Sequence, residues 1–105
     1  GRIMFIERKD QLNSDDARIG RVTASKTGAT LYYAGREFRS LKGGYKANYY
    51  DVNTGESFWI SGCKRDGGDR LYASNKPVWI DEDVRREYWS DIRGLPELAE
   101  RDCTC

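Results

Sequence analysis

The chain has 105 residues, 38% of them hydrophobic and 33% charged, which bounds it to one domain with material for a single modest core. Three Trp, seven Tyr and three Phe supply that core and exclude a disordered chain. The net charge is +1 and there is no His, so the commonest general base and the commonest transition-metal ligand are both missing.

The first thirty residues hold no apolar run longer than Ile3 to Ile6. Neither a signal peptide nor a membrane span is expected, and the expected location is the cytoplasm. Cys63, Cys103 and Cys105 make an odd total that does not read as a secreted disulfide framework. Structural zinc wants four ligands in spaced pairs, so no metal and no cofactor is expected. Charge is unevenly placed. Residues 17 to 50 carry seven Lys and Arg against one Glu, whereas from 79 onward eight acids face four Arg. The basic middle suits an anionic partner.

Residues 2–7 predict a short buried or pairing strand, followed by a polar loop through Asp10, Asn13, Ser14, Asp15 and Asp16. Residues 17–26 and 29–34 flank Thr27-Gly28 and predict a hairpin. Ile19 and Val22 differ in parity along their strand, so a period of two is kept only by a bulge, which is expected at Gly20. Gly35-Arg36 punctuates the chain before residues 37–41, where Phe38 points inward. Gly43-Gly44 marks a loop. Residues 47–52 and 56–62 flank Asn53-Thr54-Gly55, a second hairpin in which Phe58 and Ile60 alternate with Ser57, Trp59 and Ser61. Residues 63–70 read as a polar loop, and Leu71-Tyr72 as the start of a short strand. Asp81 is a suitable N-cap with Glu82 and Asp83 behind it, and Val84, Tyr88 and Ile92 form one stripe of a helix over about 81–92 that Gly94 and Pro96 stop.

The resulting fold class is mainly β: a small antiparallel curled sheet or SH3-like barrel of about five or six strands, with one C-terminal helix plugging an open end. A flat sheet with the helix across its face is the alternative. The domain spans 1–94, and 95–105 is expected to be a flexible tail.

The segments Arg-Ile-Gly-Arg-Val-Thr from Arg18, Gly-Arg-Glu-Phe-Arg-Ser-Leu-Lys from Gly35, Lys-Ala-Asn-Tyr-Tyr-Asp from Lys46, Trp-Ile-Ser-Gly from Trp59 and Ile-Asp-Glu-Asp-Val-Arg-Arg-Glu-Tyr-Trp from Ile80 cover most of the chain. Together they resemble a family of short uncharacterised bacterial proteins, members of which often carry a deoxyxylulose-phosphate synthase label. That label does not transfer, because a thiamine-diphosphate enzyme needs a far larger scaffold and a cofactor-binding motif. The resemblance implies a bacterial, cytosolic protein and no particular activity or site.

Basic residues interleaved with aromatics are the main functional signal. If Leu31 and Tyr33 point inward, Tyr32 points outward, and the same alternation sets Tyr49 and Trp59 beside Arg36, Arg39 and Lys46. Rings that stack on bases while Lys and Arg track phosphates would make a non-catalytic module for single-stranded nucleic acid or another anionic ligand. The competing reading is that these aromatics pair across strands and the cations solubilise the sheet. Lys64, Arg65, Gly67, Gly68 and Arg70 form a weaker candidate, a glycine nest for an anion. Arg85 and Trp89 offer a different class of function, a helix face that anchors a homodimer or another protein, against the competing reading that Trp89 widens the buried stripe; an acidic protein surface would instead suit the basic middle. No catalytic set is assigned.

Overall fold

The computed structural model describes residues 1–9, 17–42, 47–69 and 77–104. Six strands, β1 (Arg2–Arg8), β2 (Ala17–Ala24), β3 (Thr30–Tyr33), β4 (Arg36–Ser40), β5 (Tyr49–Asp51) and β6 (Ser57–Gly62), run antiparallel in the order β1-β6-β5-β4-β3-β2, and β2 pairs back with β1 to close a barrel. A seventh strand, β7 (Trp79–Ile80), lies parallel to the start of β2. The curled-sheet reading is therefore met in its closed form, and the flat sheet is not.

Both hairpins form where the turn chemistry places them. Gly28 (φ 76°) turns β2 into β3, and Gly55 (φ 79°) turns β5 into β6 while the Asp51 carboxylate accepts the backbone N–H groups of Asn53 and Thr54. A third hairpin joins β3 to β4 through Ala34 (φ 52°) and Gly35 (φ 75°), two left-handed residues of the kind that match the strand twist. Inward positions follow the period of two: Leu31, Phe38, Phe58 and Ile60 are buried, with Phe38 and Phe58 edge to face at 4.8 Å.

The expected bulge at Gly20 is absent. β1 and β2 pair without interruption from Arg2 opposite Val22 to Glu7 opposite Ala17. Ile19 and Val22 differ in parity because they serve opposite faces, both of them covered. Ile6, Val22, Leu31, Phe38, Phe58 and Ile60 fill the barrel interior. Ile3, Phe5, Ala17 and Ile19 face outward from the same two strands, into a second cluster with Val78, Ile80, Val84, Tyr88 and Trp89. The apolar content thus serves two packed clusters instead of one.

That second cluster places the helix. It lies against the outer wall of β1 and β2 and does not plug an end of the barrel. Its pitch widens along its length, from a 3-10 turn (Glu82–Val84) through an α turn (Arg85–Glu87) to a π turn (Tyr88–Ile92), with the Arg93 N–H donating to Tyr88 O at 3.0 Å. Arg21 Nη2 meets Glu87 Oε1 at 2.9 Å and ties the segment to β2. Tyr88 is fully buried and Trp89 is 2% exposed.

The last residues correct the expectation of a flexible tail. Pro96–Leu98 form a 3-10 turn, Trp89 Nε1 donates to Arg101 O at 2.9 Å, Ile80 N–H donates to Asp102 O at 2.8 Å and Thr104 N–H donates to Val78 O at 3.0 Å. Cys103 is buried, bridges to Trp79 and is disulfide-bonded, so it is not a loose thiol. Irregular chain that satisfies its backbone by pairing leaves no periodic trace in sequence. The strand expected at Leu71-Tyr72, the loop at Gly43-Gly44, and Lys46, Arg70 and Cys105 lie outside the described residues.

Because Trp89 links the barrel wall, the helical segment and the returning C-terminal residues, Trp89→Ala is expected to lower unfolding free energy by about 3–5 kcal/mol. Tyr32→Ala, at an exposed position, is expected to change it by under about 0.5 kcal/mol. Urea titrations of both variants read the difference directly.

Candidate ligand site at the barrel mouth

One end of the barrel opens into a pocket of about 290 Å³. Its floor is apolar, made by Ile6, Phe38 and Phe58 from the barrel interior. Its rim carries Arg8 of β1, Arg18 of β2, Tyr33 of β3, Ala34 of the turn, Arg36 of β4 and Asp81 at the start of the helical segment. Strand alternation explains the change from floor to rim. Ile6 and Arg8 share one face of β1, as Phe38 and Arg36 share one face of β4, so each strand ends its buried face on a cation.

Two polar networks frame the opening. In the first, Arg18 grips Asp81 Oδ1 through Nε at 2.8 Å and Nη2 at 2.7 Å, while the Tyr33 hydroxyl donates to Asp81 Oδ2 at 2.5 Å. Gly20 makes room for this arrangement, since a Cβ there would collide with the Tyr33 ring and the Asp81 carboxylate. Burial, and then the neighbouring Asp81 carboxylate, push the Tyr33 hydroxyl well above its ordinary range, so it stays a donor. The hydrogen bond to Asp81 likewise raises Arg18.

In the second network, Arg36 Nη1 meets Asp51 Oδ2 at 2.9 Å and Glu56 Oε1 at 3.0 Å, and Arg8 Nη1 meets Glu56 Oε2 at 3.0 Å. The Arg36 guanidinium also lies over the Phe58 ring, 5.5 Å from its centroid. Asp51 is 1% exposed. Burial alone would raise its pKa, but the Asn53 and Thr54 N–H donors and then Arg36 outweigh that and hold it below the ordinary carboxylate range. Glu56 is lowered chiefly by its hydrogen bond to Arg36, which is itself raised by Glu56 first and Asp51 second against the opposing effect of burial.

The structure does not assemble the predicted basic and aromatic residues on one face. Tyr32 is exposed as expected, and Arg39 is exposed, two residue positions from Tyr32 in the β3–β4 register, but the outward neighbour of Arg39 on β5 is Tyr50 and not Tyr49. Tyr49 packs partly into the barrel interior. Trp59 packs against the helix-side cluster, because the outer wall it was expected to expose is covered there. Arg36 turns into the mouth.

The other two candidates are also corrected. In the loop after β6 the glycine amides are engaged within the loop: Gly67 N–H donates to Lys64 O at 3.2 Å and Gly68 N–H donates to Asp66 Oδ1 at 2.8 Å, while Lys64 N–H donates to Asp69 Oδ1 at 2.5 Å. Lys64, Arg65, Gly67 and Gly68 therefore build a self-satisfied turn and not an anion nest. On the helix, Arg85 Nη2 donates to Ile80 O at 3.1 Å and Trp89 is buried, so this pair cannot serve as an exposed anchor.

Sequence reasoning missed Arg8, Arg18, Tyr33 and Asp81 as partners in one site. One signal was present. A glycine inside a strand marks close approach by another group, and Gly20 marks the approach of Tyr33 and Asp81. Comparison with protein-family models, with curated proteins and with solved structures gives no match.

Gly20→Ala is expected to break the Tyr33 to Asp81 hydrogen bond and to cost about 1–3 kcal/mol, read by chemical denaturation. An unchanged midpoint would show that the mouth tolerates a Cβ. A second expectation concerns acid. The folded-state pKa of Asp51 lies below its unfolded value of about 4, so its contribution is fully present above pH 4 and is lost as pH falls through the folded pKa. Asp51→Asn should therefore lower stability at pH 7 and flatten the fall in melting temperature below pH 4.

Proposed function

We propose that this protein is a small non-catalytic binding module that takes an amphipathic organic anion in the mouth of its barrel. The observation that carries this reading is the convergence of three guanidinium groups, from three different strands, around a floor of Ile6, Phe38 and Phe58. Concave sites with an apolar body and a few placed polar groups are the usual form of small-molecule pockets, and barrel mouths are a recurrent place for them. The rim groups are held in fixed geometry by ion pairs, which reduces the ordering cost of binding.

Single-stranded nucleic acid remains the second reading. It rests on Tyr32, Arg39 and Tyr50 on the outer wall of β3 to β5, with Glu37 opposite Tyr32 weakening the local positive field.

Amide chemical-shift mapping separates the two. Organic carboxylates and sulfonates are expected to perturb Ile6, Tyr33, Ala34, Arg36 and Phe58. The double variant Arg36→Gln with Asp51→Asn, which avoids leaving Asp51 charged without its partner, should weaken binding by about tenfold. Shifts confined to Tyr32, Arg39 and Tyr50 on adding oligo(dT), with none from organic anions, would replace the mouth reading with the nucleic-acid one.

A further inference from the structure

Resting on the barrel-mouth reading, we infer that the ligand class is an aromatic monocarboxylate, and that Trp79 is a specificity-determining residue that covers its ring at the rim.

Charge selects a monoanion. The rim cations Arg8, Arg18 and Arg36 are already met by Glu56, Asp81 and Asp51, so the mouth has donors in abundance but no surplus of positive charge. A phosphate dianion or a polyphosphate would face three nearby carboxylates, whereas a single carboxylate gains the directional hydrogen bonds with half the repulsion. The site already holds one carboxylate in this manner. Arg18 presents two N–H groups to Asp81 and Tyr33 supplies an O–H, which is how a planar anion is read by a guanidinium fork. Arg36 is the group placed to do the same for a ligand. Both of its ion pairs run through Nη1, and among the described residues its Nε and Nη2 have no hydrogen-bond partner.

Shape and lining select an aromatic body. The pocket, at about 290 Å³, is roughly twice the ~150 Å³ cavity that holds benzene, so it fits one or two fused rings and not a long acyl chain. Phe38, Phe58 and Tyr33 supply ring faces and edges to such a body, and Arg36 already lies over one ring.

Trp79 completes the argument. It is 43% exposed, and with Tyr32 it is the most exposed large hydrophobic side chain among the described residues. Its register partner on β2 is Arg18, and the next residue, Ile80, is buried in the helix-side cluster. Alternation along the strand therefore sends Trp79 to the same side as Arg18 and Asp81, which is the mouth side. Trp79 is not part of the pocket's own lining, but it pairs with the lining residue Arg18, and an exposed indole there would gain area by reaching over a ligand that projects from the mouth; its loss leaves the fold intact because it belongs to neither cluster.

The test is calorimetric titration of the full chain with four probes: 2-naphthoate, octanoate, 2-naphthalenemethanol and inorganic phosphate. Binding of 2-naphthoate at least about tenfold tighter than either octanoate or the neutral alcohol, with no heat from phosphate, is the expected result. Trp79→Ala should weaken 2-naphthoate by about fivefold and leave octanoate unchanged, while Trp79→Phe restores most of the loss. Circular dichroism of each variant checks that the barrel is unaltered. Octanoate binding as tightly as 2-naphthoate, or a Trp79→Ala variant with unchanged affinity, would overturn the aromatic assignment and leave the mouth as a general anion site. Tighter binding of phosphate would overturn the monoanion assignment. No binding by any of the four probes would bring down the mouth reading itself, and this inference with it.

Discussion

The β1–β2 ladder is the constraint on which everything else depends. Six consecutive residue pairs, from Arg2 with Val22 to Glu7 with Ala17, close the barrel on one face and provide the seat for the helical segment on the other. The same two strands must therefore be apolar on both sides. Ile6 and Val22 belong to the interior, while Ile3, Phe5, Ala17 and Ile19 belong to the outer cluster. A strand with one wet face could not do both, and without the second cluster the helix would have nothing to cover. Burying both faces is also how a chain of this size, with so much charge, reaches enough apolar contact to be stable.

The ladder also determines what becomes of the uneven charge. The basic middle of the sequence and its acidic end meet across the fold, through Arg18 with Asp81 and Arg21 with Glu87. Two of the seven cations of the basic middle are thereby engaged between β2 and the helical segment instead of being offered to an outside partner. Exposed pairs of this kind contribute little stability on their own. Their effect here is positional. The Arg18 pair brings Asp81 over Gly20 and beside Tyr33, and this contact turns the open end of the barrel into a bounded pocket.

The parts of the fold that were legible in the sequence are those governed by neighbours along the chain. Gly28 and Gly55 announced their hairpins because a left-handed turn residue is a local requirement, and Leu31, Phe38, Phe58 and Ile60 followed from the period of two. Ile19 and Val22 carried the correct information, but their mismatch implies a bulge only if one face is wet. A continuous strand buried on both sides gives the same pattern. Trp89 was ambiguous for a related reason. Helical periodicity rotates it away from Val84 and Tyr88, and what buries it is the chain from 95 to 104 folding back, with Arg101 accepting the indole N–H. The candidate site was least legible because its members are far apart in sequence. Tyr33 and Asp81 are separated by 48 positions, and Arg18 and Asp81 by 63.

This separation bears on how the mouth could come to bind anything. Each of its cations lies at or near the end of a strand, beyond an apolar residue that faces the barrel interior, so the rim is a by-product of terminating the barrel: a guanidinium can cover the last ring with its stem and still reach water with its head. Such an end needs counter-charges, and Asp51, Glu56 and Asp81 supply them. The arrangement thus satisfies its charges without a ligand. What stability does not require is the remaining donor capacity of Arg36, an alanine held at φ 52° in the lining turn, or an indole left 43% exposed on the strand position paired with Arg18. Asn or Gly would suit that turn better than Ala, and a polar residue would suit position 79 better than Trp. Departures from the locally preferred residue at and next to one pocket are what the proposed binding role would require, since folding alone does not select them.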